Sequence, residues 1–260
     1  VTNEIAAIGF AAAGSVYERG RPDYPSAVVA ALTSHLDLRE GSRLLDVATG
    51  TGKLARGFLG GPERFEVIAV EPAAEMRGEF ARIQPGVPIV GSVAEALPFA
   101  DGSIDAITVG TAFHWFDGPA ALREFHRVLR PGAGLALVWL QRDESVPWVD
   151  ELVRLVDTYR PADARRFAVT PWQAAFESAE ARRLFSTLRA EQYPFGFPVD
   201  RATAVQRTAS TSFVAAMPPE RRAEVLARVT ALIDAHPATR GLATIELPHV
   251  AELYWCERLG

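Results

Sequence analysis

No part of the 260-residue sequence restricts the fold more than Leu44-Leu45-Asp46-Val47-Ala48-Thr49-Gly50-Thr51-Gly52-Lys53-Leu54-Ala55. The apolar run from Arg43 to Val47 reads as a short buried strand. It breaks into a turn of small residues and enters a helix with apolar positions at Leu54, Phe58 and Leu59. In an open α/β sheet, the crevice beyond the carboxyl end of such a strand is where ligands sit. Gly50 and Gly52 let a ligand approach the main chain, since no Cβ stands in the way. The N–H groups at the start of the following helix then face that ligand.

Charge helps choose among nucleotide-type ligands. A phosphate-cradling P-loop requires Gly, four residues, then Gly-Lys-Ser/Thr, but Val47 holds the first glycine position and Leu54 the hydroxyl position. A dinucleotide site fits the spacing Gly50-x-Gly52-x-x-Ala55, with Glu71 nineteen residues past Gly52. It would, however, set the Asp46 carboxylate against a dianionic pyrophosphate, with only Lys53 to offset it. S-adenosylmethionine carries an ammonium and a sulfonium at that end, so an acid at the strand tip is favourable. The turn by itself is also compatible with an ordinary strand-to-helix connection.

The rest of the first half repeats the pattern. Ser26 reads as an N-cap for a helix from Ala27 to about Leu36. Apolar strands are predicted at Phe65–Val70, Val87–Val90, Ile104–Val109 and Leu135–Leu140. Helices are predicted at Ala73–Ile83 and from Pro119 to Leu129. Five strands alternating with helices predict a doubly wound, mostly parallel Rossmann-like α/β sheet with right-handed crossovers. Beyond Gln141 the alternation changes. Pro147–Tyr159, Arg201–Met217 and Glu220–Ala235 read as helices, Leu184–Phe195 as a strand, and Ala243–Leu259 as a last strand or two. The expected organisation is a single domain over 1–260, with an N-terminal arm (1–25), a ligand-binding core (26–140) and a C-terminal part (141–260). A helical insertion at 198–240 is placed as a lid, or as a helical pair packed on the sheet.

A formal net charge of −5, without a Lys/Arg block, argues against tight binding to a nucleic-acid backbone. No run of 18 apolar residues suggests a membrane span, and the apolar Ile5–Val16 stretch lacks a basic leader, so a cytoplasmic location is expected. The single Cys256 and five scattered histidines offer no metal cluster.

Several further motifs stand in order: Glu71-Pro72 with Met76; Ala94-Glu95-x-Leu97-Pro98-Phe99-x-Asp101-Gly102-Ser103-x-Asp105; and Glu124-x-x-Arg127-Val128-Leu129-Arg130-Pro131-Gly132-Ala133-Gly134. With the first turn, they resemble the class I S-adenosylmethionine-dependent methyltransferases over roughly residues 8 to 140. The arm Tyr17-x-x-x-Arg21-Pro22-x-Tyr24-Pro25 and Ala112-Phe113-His114-Trp115-Phe116 are similar to the small-molecule branch, which includes trans-aconitate and malonyl-carrier methyltransferases. Ala48 departs from the family, standing where many members have Gly, as does Thr49, where many have Cys.

The resemblance implies a role for each matching residue. Asp46, or backbone there, would receive the ammonium of the cofactor, and Ala48, Thr49, Gly50 and Gly52 would count among the residues that bind it. Glu71 would take both ribose hydroxyls, and Pro72 and Met76 would sandwich adenine. Ser92, Val93, Ala94 and Glu95 would border the adenine edge. Gly110, Thr111 and Ala112 would line the methionine and sulfonium end, while Arg21 would pair with the cofactor carboxylate beside Tyr17, or else be a surface arginine. Tyr17, Trp115, Phe116 and Trp148 could floor an apolar substrate pocket, or simply pack the lid. His114 is the candidate general base, or else a structural plug between Phe113 and Trp115. The expected activity is methyl transfer to a small molecule, with S-adenosylhomocysteine as co-product. An NAD(P)-binding oxidoreductase or a non-catalytic relative that binds S-adenosylmethionine are the alternatives.

Overall fold

Helix α1 (Ser26–His35) leads into β1 (Arg43–Val47), α2 (Lys53–Gly57), β2 (Glu66–Val70), α3 (Ala74–Ile83) and β3 (Ile89–Val90). Strand β4 (Ile104–Gly110), helix α4 (Gly118–Val128) and strand β5 (Leu129–Arg142) complete the alternating half. There follow α5 (Pro147–Asp157), α6 (Ala174–Glu177), α7 (Ala181–Leu184), β6 (Arg189–Val199), α8 (Arg201–Ala209), α9 (Ser212–Ala215), α10 (Pro219–Ala235) and β7 (Ile245–Glu257). The structure, a computed structural model, describes residues 20–61, 64–161 and 172–260.

The strands form one seven-stranded sheet in the order β3-β2-β1-β4-β5-β7-β6. β1 runs parallel to β2 and β4, β2 to β3, and β4 to β5. The reversal of strand order on either side of β1 is the topology that opens a ligand crevice at the carboxyl ends of β1 and β4. Alternation in the sequence dictated this half of the fold, and the mostly parallel α/β sheet is as expected.

Two compact units divide the chain. Among the described residues, the sheet unit holds 23–61, 64–139, 172–193 and 251–260, and the helical unit holds 20–22, 140–161 and 194–250. The core of the sheet unit gathers Leu45, Val47, Ile107, Val109, Phe113, Phe125, Leu135 and Trp139, all essentially inaccessible. Each such side chain contributes roughly 1.5–3 kcal/mol of transfer free energy. The helical unit has its own core, in which Val225, Val229 and Ile233 of α10 repeat every four residues and pack with Trp148, Val149 and Leu152 of α5.

Four local expectations give way to tertiary effects. Pro25, rather than Ser26, takes the N-cap of α1, and its carbonyl accepts the Val28 and Val29 amides. β5 begins at Leu129 instead of Leu135. Gly132 N–H donates to Arg258 O (3.1 Å) and Arg258 N–H to Ala133 O (2.8 Å), so distant chain extends the strand through Pro131 and Gly132. The expected helix Arg201–Met217 is broken into α8 and α9. There the Ser210 hydroxyl donates to Arg207 O (2.9 Å), a side-chain bond that competes with helix continuation. The predicted strand Leu184–Phe195 is shifted, α7 ending at Leu184 and β6 starting at Arg189.

Two side chains of α4, Arg127 and Glu124, tie it to the loop before β4. Arg127 Nη1 donates to Phe99 O (2.8 Å) and Asp101 Oδ1 (2.7 Å), and Nη2 to Leu97 O (2.9 Å) and Glu124 Oε1 (2.6 Å). Glu124 Oε1 also accepts the Leu97 amide at 2.7 Å.

Candidate active site

β1 ends at Val47, in register with Val70 of β2. The chain then turns through Ala48 (φ 55°), Gly50 (φ 57°) and Gly52 (φ 86°). Thr49 N–H donates to Val70 O (3.1 Å), which folds the turn over the tip of β2. Glu71, at that tip, receives the Gly50 amide on Oε2 and the Ala73 amide on Oε1, both at 2.9 Å. Only 7% of Glu71 is exposed. Burial raises its pKa, against the pull of the two amides and Arg77. Arg77 also fixes the peptide at this tip, donating from Nη1 to Glu71 O (2.9 Å) and Pro72 O (2.7 Å).

Left-handed φ is where Ala is worse than Gly, by about 1–2 kcal/mol of steric cost. At Ala48 that cost exceeds the entropy glycine loses on folding, about 0.5–1 kcal/mol. Ala48→Gly is therefore expected to stabilise the protein by about 0.5–1 kcal/mol. Chemical denaturation checks this, and a destabilised variant would show that the methyl group packs usefully.

Asp46 lies beneath the turn with 1% exposure. The register of β1 against β4 sets it opposite Thr108, whose hydroxyl donates to Oδ1 (2.9 Å), while Thr49 Oγ1 donates to Oδ2 (2.5 Å). Burial pushes its pKa up to about 6, the two hydroxyls and the Ala55 amide pull it down, and the charge of Glu71 adds to the rise. The site thus holds two desolvated carboxylates that repel each other, an arrangement that favours a cation nearby.

At the end of β4, the Tyr24 hydroxyl lies directly over Gly110, where a Cβ would approach it to 2.6 Å. Tyr24 also faces the Thr111 hydroxyl at 3.4 Å. Thr111 has φ 55°, an unusual conformation for a β-branched residue, held by its N–H bond to Val138 O (2.7 Å). Ala112 is buried, and a short 3₁₀ turn, Phe113–Trp115, follows. The His114 ring lies tilted on Trp115 (4.6 Å), and its Nδ1 accepts from Trp139 Nε1–H at 3.4 Å. That acceptor role puts the hydrogen of the neutral ring on Nε2. Phe116 packs edge-on against Phe113 (5.6 Å) and Phe125 (6.4 Å), and Trp115 is half-buried against the same core.

The expected adenine rim sits beside these elements within the sheet unit. Pro72 is exposed, Met76 is buried on α3 with Phe80, and Val93 is 40% exposed while Ala94 is buried. Ser92 Oγ donates to Ala96 O (2.5 Å), and Glu95 Oε1 accepts the Asp117 amide (2.8 Å). Two expected contributors belong to the helical unit. Arg21 donates to Ser210 O (3.2 Å), and Trp148 is part of that unit's buried core. Tyr17 lies outside the described residues.

Sequence reasoning passed over Thr108 and Arg77, and placed Tyr24 in the arm motif without giving it a role at the site. Thr108 carried a signal, as the polar position inside an otherwise apolar strand; the others depend on contacts that no spacing reveals.

A family model described as "Methyltransferase domain" matches residues 45–137, the span from β1 into β5. The chain is 34% identical over 244 residues to an uncharacterized methyltransferase of Mycobacterium bovis, covering 94% of this chain and 93% of that protein. It is 33% identical over 128 residues to a malonyl-[acyl-carrier protein] O-methyltransferase of Enterobacter lignolyticus, about half of each chain (49% and 50%). A candidate type II methyltransferase structure from Anaeromyxobacter dehalogenans superposes with a TM-score of 0.67 at 25% identity, over 92% of this chain and 97% of that one. A 34% identity that runs nearly the full length of a methyltransferase, on a sheet whose β1 and β2 tips carry the paired acids, makes this chain a member of the class I S-adenosylmethionine-dependent methyltransferase superfamily.

Proposed function

We propose that the protein binds S-adenosylmethionine and transfers its methyl group to a small-molecule acceptor by in-line displacement. The observation that carries this reading is Glu71, buried at the tip of β2 and tied to the first turn through the Gly50 amide. Each of its oxygens accepts one amide, so each retains a lone pair for a ribose hydroxyl. The residues fit the cofactor in charge as well, since Asp46 and Glu71 together favour a cationic ligand over a pyrophosphate.

When bound, S-adenosylmethionine supplies a methyl group activated by the sulfonium. The chain's own contribution is orientation and exclusion of water. Gly110, Thr111 and Ala112 form one wall at the end of β4, with Tyr24 over Gly110. Asp46 acts as a sealed negative charge below the turn. With Nδ1 accepting from Trp139, the neutral tautomer of His114 carries its hydrogen on Nε2, which makes that nitrogen a donor rather than a ready base. His114→Ala is therefore expected to lower turnover by no more than about tenfold, below the span usual for a lost general base. A larger loss, with a pH profile that shifts, would return it to the role of base.

Binding should depend on pH. The folded pKa of Asp46, about 6, lies above the ordinary 3.8. The folded protein therefore holds an extra proton between these values, and this group's contribution to stability falls as pH rises across that window. A cation favours the ionised form, so affinity for S-adenosylmethionine is expected to rise with pH through about 6 and to flatten in Asp46→Asn. Calorimetry from pH 5 to 8 checks this, and a flat wild-type profile would sink the charge argument.

The direct test is titration with S-adenosylmethionine, S-adenosylhomocysteine and NADH, followed by incubation with labelled S-adenosylmethionine and a metabolite extract. Tight NADH binding without S-adenosylmethionine binding would reverse the assignment. Cofactor binding without any labelled product would favour a non-catalytic relative.

A further inference from the structure

A second cluster of charge lies wholly within the helical unit. Arg142, the last residue of β5, donates from Nη2 to Thr208 Oγ1 on α8 (3.0 Å), and Thr208 is inaccessible. Arg207, the preceding residue, is 8% exposed. The Arg21 bond to Ser210 O brings a third guanidinium to the same stretch. Its neighbour Gly20 seats closely there, since a Cβ would come within 3.3 Å of Gln206 O.

Beside them His249 on β7 is fully buried, with Nδ1 at 2.8 Å from Leu247 O and its ring against Phe195 (5.5 Å) and Phe197 (6.0 Å). Arg142 Nε and His249 Nε2 are buried and have no hydrogen-bond partner among the described residues. Burial, then the repulsion of Arg207, Arg142 and Arg21, holds His249 neutral, with a pKa pushed down to about 3. Burial and the charge of Arg21 likewise pull Arg142 down to about 10, although Asp157 and Glu144 partly favour its charge. Asp157 also serves Arg160, accepting from it at 3.1 and 2.8 Å.

We infer that Arg142, Arg207 and His249 form a binding site for a small oxyanion, a carboxylate or phosphate group, inside the helical unit. Guanidinium forks match the planar or tetrahedral oxygens of such a group. An anion also reverses the repulsion on the imidazole, so that His249 gains a proton and offers both ring nitrogens as donors. A trapped water is the competing occupant, since it would satisfy Arg142 Nε and His249 Nε2 without any anion.

Three arms on the full chain separate these. Thermal unfolding and calorimetry with sodium malonate and with sodium phosphate, against sodium chloride at matched ionic strength, should show saturable stabilisation by one or both. Whichever binds more tightly identifies the source of the group. The same titrations with saturating S-adenosylhomocysteine should give unchanged anion affinity. Arg142→Gln should weaken binding by on the order of tenfold or more. Removal of a buried charge can alter folding by itself, so two further readouts accompany it. Thr208→Val, which frees only the anchor of Arg142, should weaken binding in the same direction. In the wild type, the His249 ring nitrogens should titrate at higher pH when anion is present. Stabilisation no greater than that by chloride, or an unmoved His249 titration, would leave only water there and overturn the proposal. Loss of anion binding under S-adenosylhomocysteine would also overturn it, by making the cluster part of the cofactor's own carboxylate site.

Discussion

Glu71→Ala is expected to weaken S-adenosylmethionine binding by about a hundredfold or more. On the proposed reading two ribose hydrogen bonds to a carboxylate are lost, and each charge-assisted bond contributes about 1.5–3 kcal/mol. The geometry adds a second consequence. The same carboxylate accepts the Gly50 and Ala73 amides, so its removal orphans both donors and loosens the turn. A stability loss of about 1–3 kcal/mol should accompany the binding defect. Glu71→Gln distinguishes the two effects, because its one carbonyl oxygen still serves a backbone amide while the charge is gone. Calorimetry with S-adenosylmethionine and denaturant unfolding, run on both variants, provide the measurement. Wild-type affinity in a folded Glu71→Ala protein would refute the ribose assignment, and with it the cofactor proposed for this chain.

The second large effect is expected at Gly52. Its φ of 86° is unfavourable for any side chain, and a Cβ there would come within 2.6 Å of the Phe80 ring on α3. Backbone strain of about 1–2 kcal/mol and overpacking of about 1–3 kcal/mol add to a destabilisation of roughly 3 kcal/mol for Gly52→Ala. Phe80 is fully buried and cannot swing into solvent, so the clash is not relieved cheaply. Pairing the change with Phe80→Leu should recover the overpacking part and leave the backbone part. Urea unfolding of the two single variants and the double variant measures that coupling. Additive losses would show that the ring and the turn do not press on each other.

Much of the sheet unit was legible because its determinants are local. Runs such as Arg43–Val47 and Ile104–Val109 state the strands, and Gly50 and Gly52 state the turn, since both adopt the left-handed φ that glycine permits. The ends of elements were less legible, because they depend on remote partners. Pairing between Gly132–Ala133 and Arg258 lengthens β5, and a serine hydroxyl divides α8 from α9. At the site, residue types pointed to Asp46 and Glu71 but not to how they are held. Asp46 is fixed by a threonine 62 positions away, visible only once the register of β1 and β4 is known. Arg142 and Thr208 stand 66 residues apart and meet only through the fold. Nothing in their spacing marks them as neighbours.

The grip of Arg127 on Leu97, Phe99 and Asp101 has a mechanical corollary. Helix α4 holds that loop at one end, and at the other Asp117 caps its first turn while tethered to Glu95. The segment expected to edge the adenine and the segment leading away from His114 are thus laced to one rod. Displacement of either segment is expected to carry the other with it.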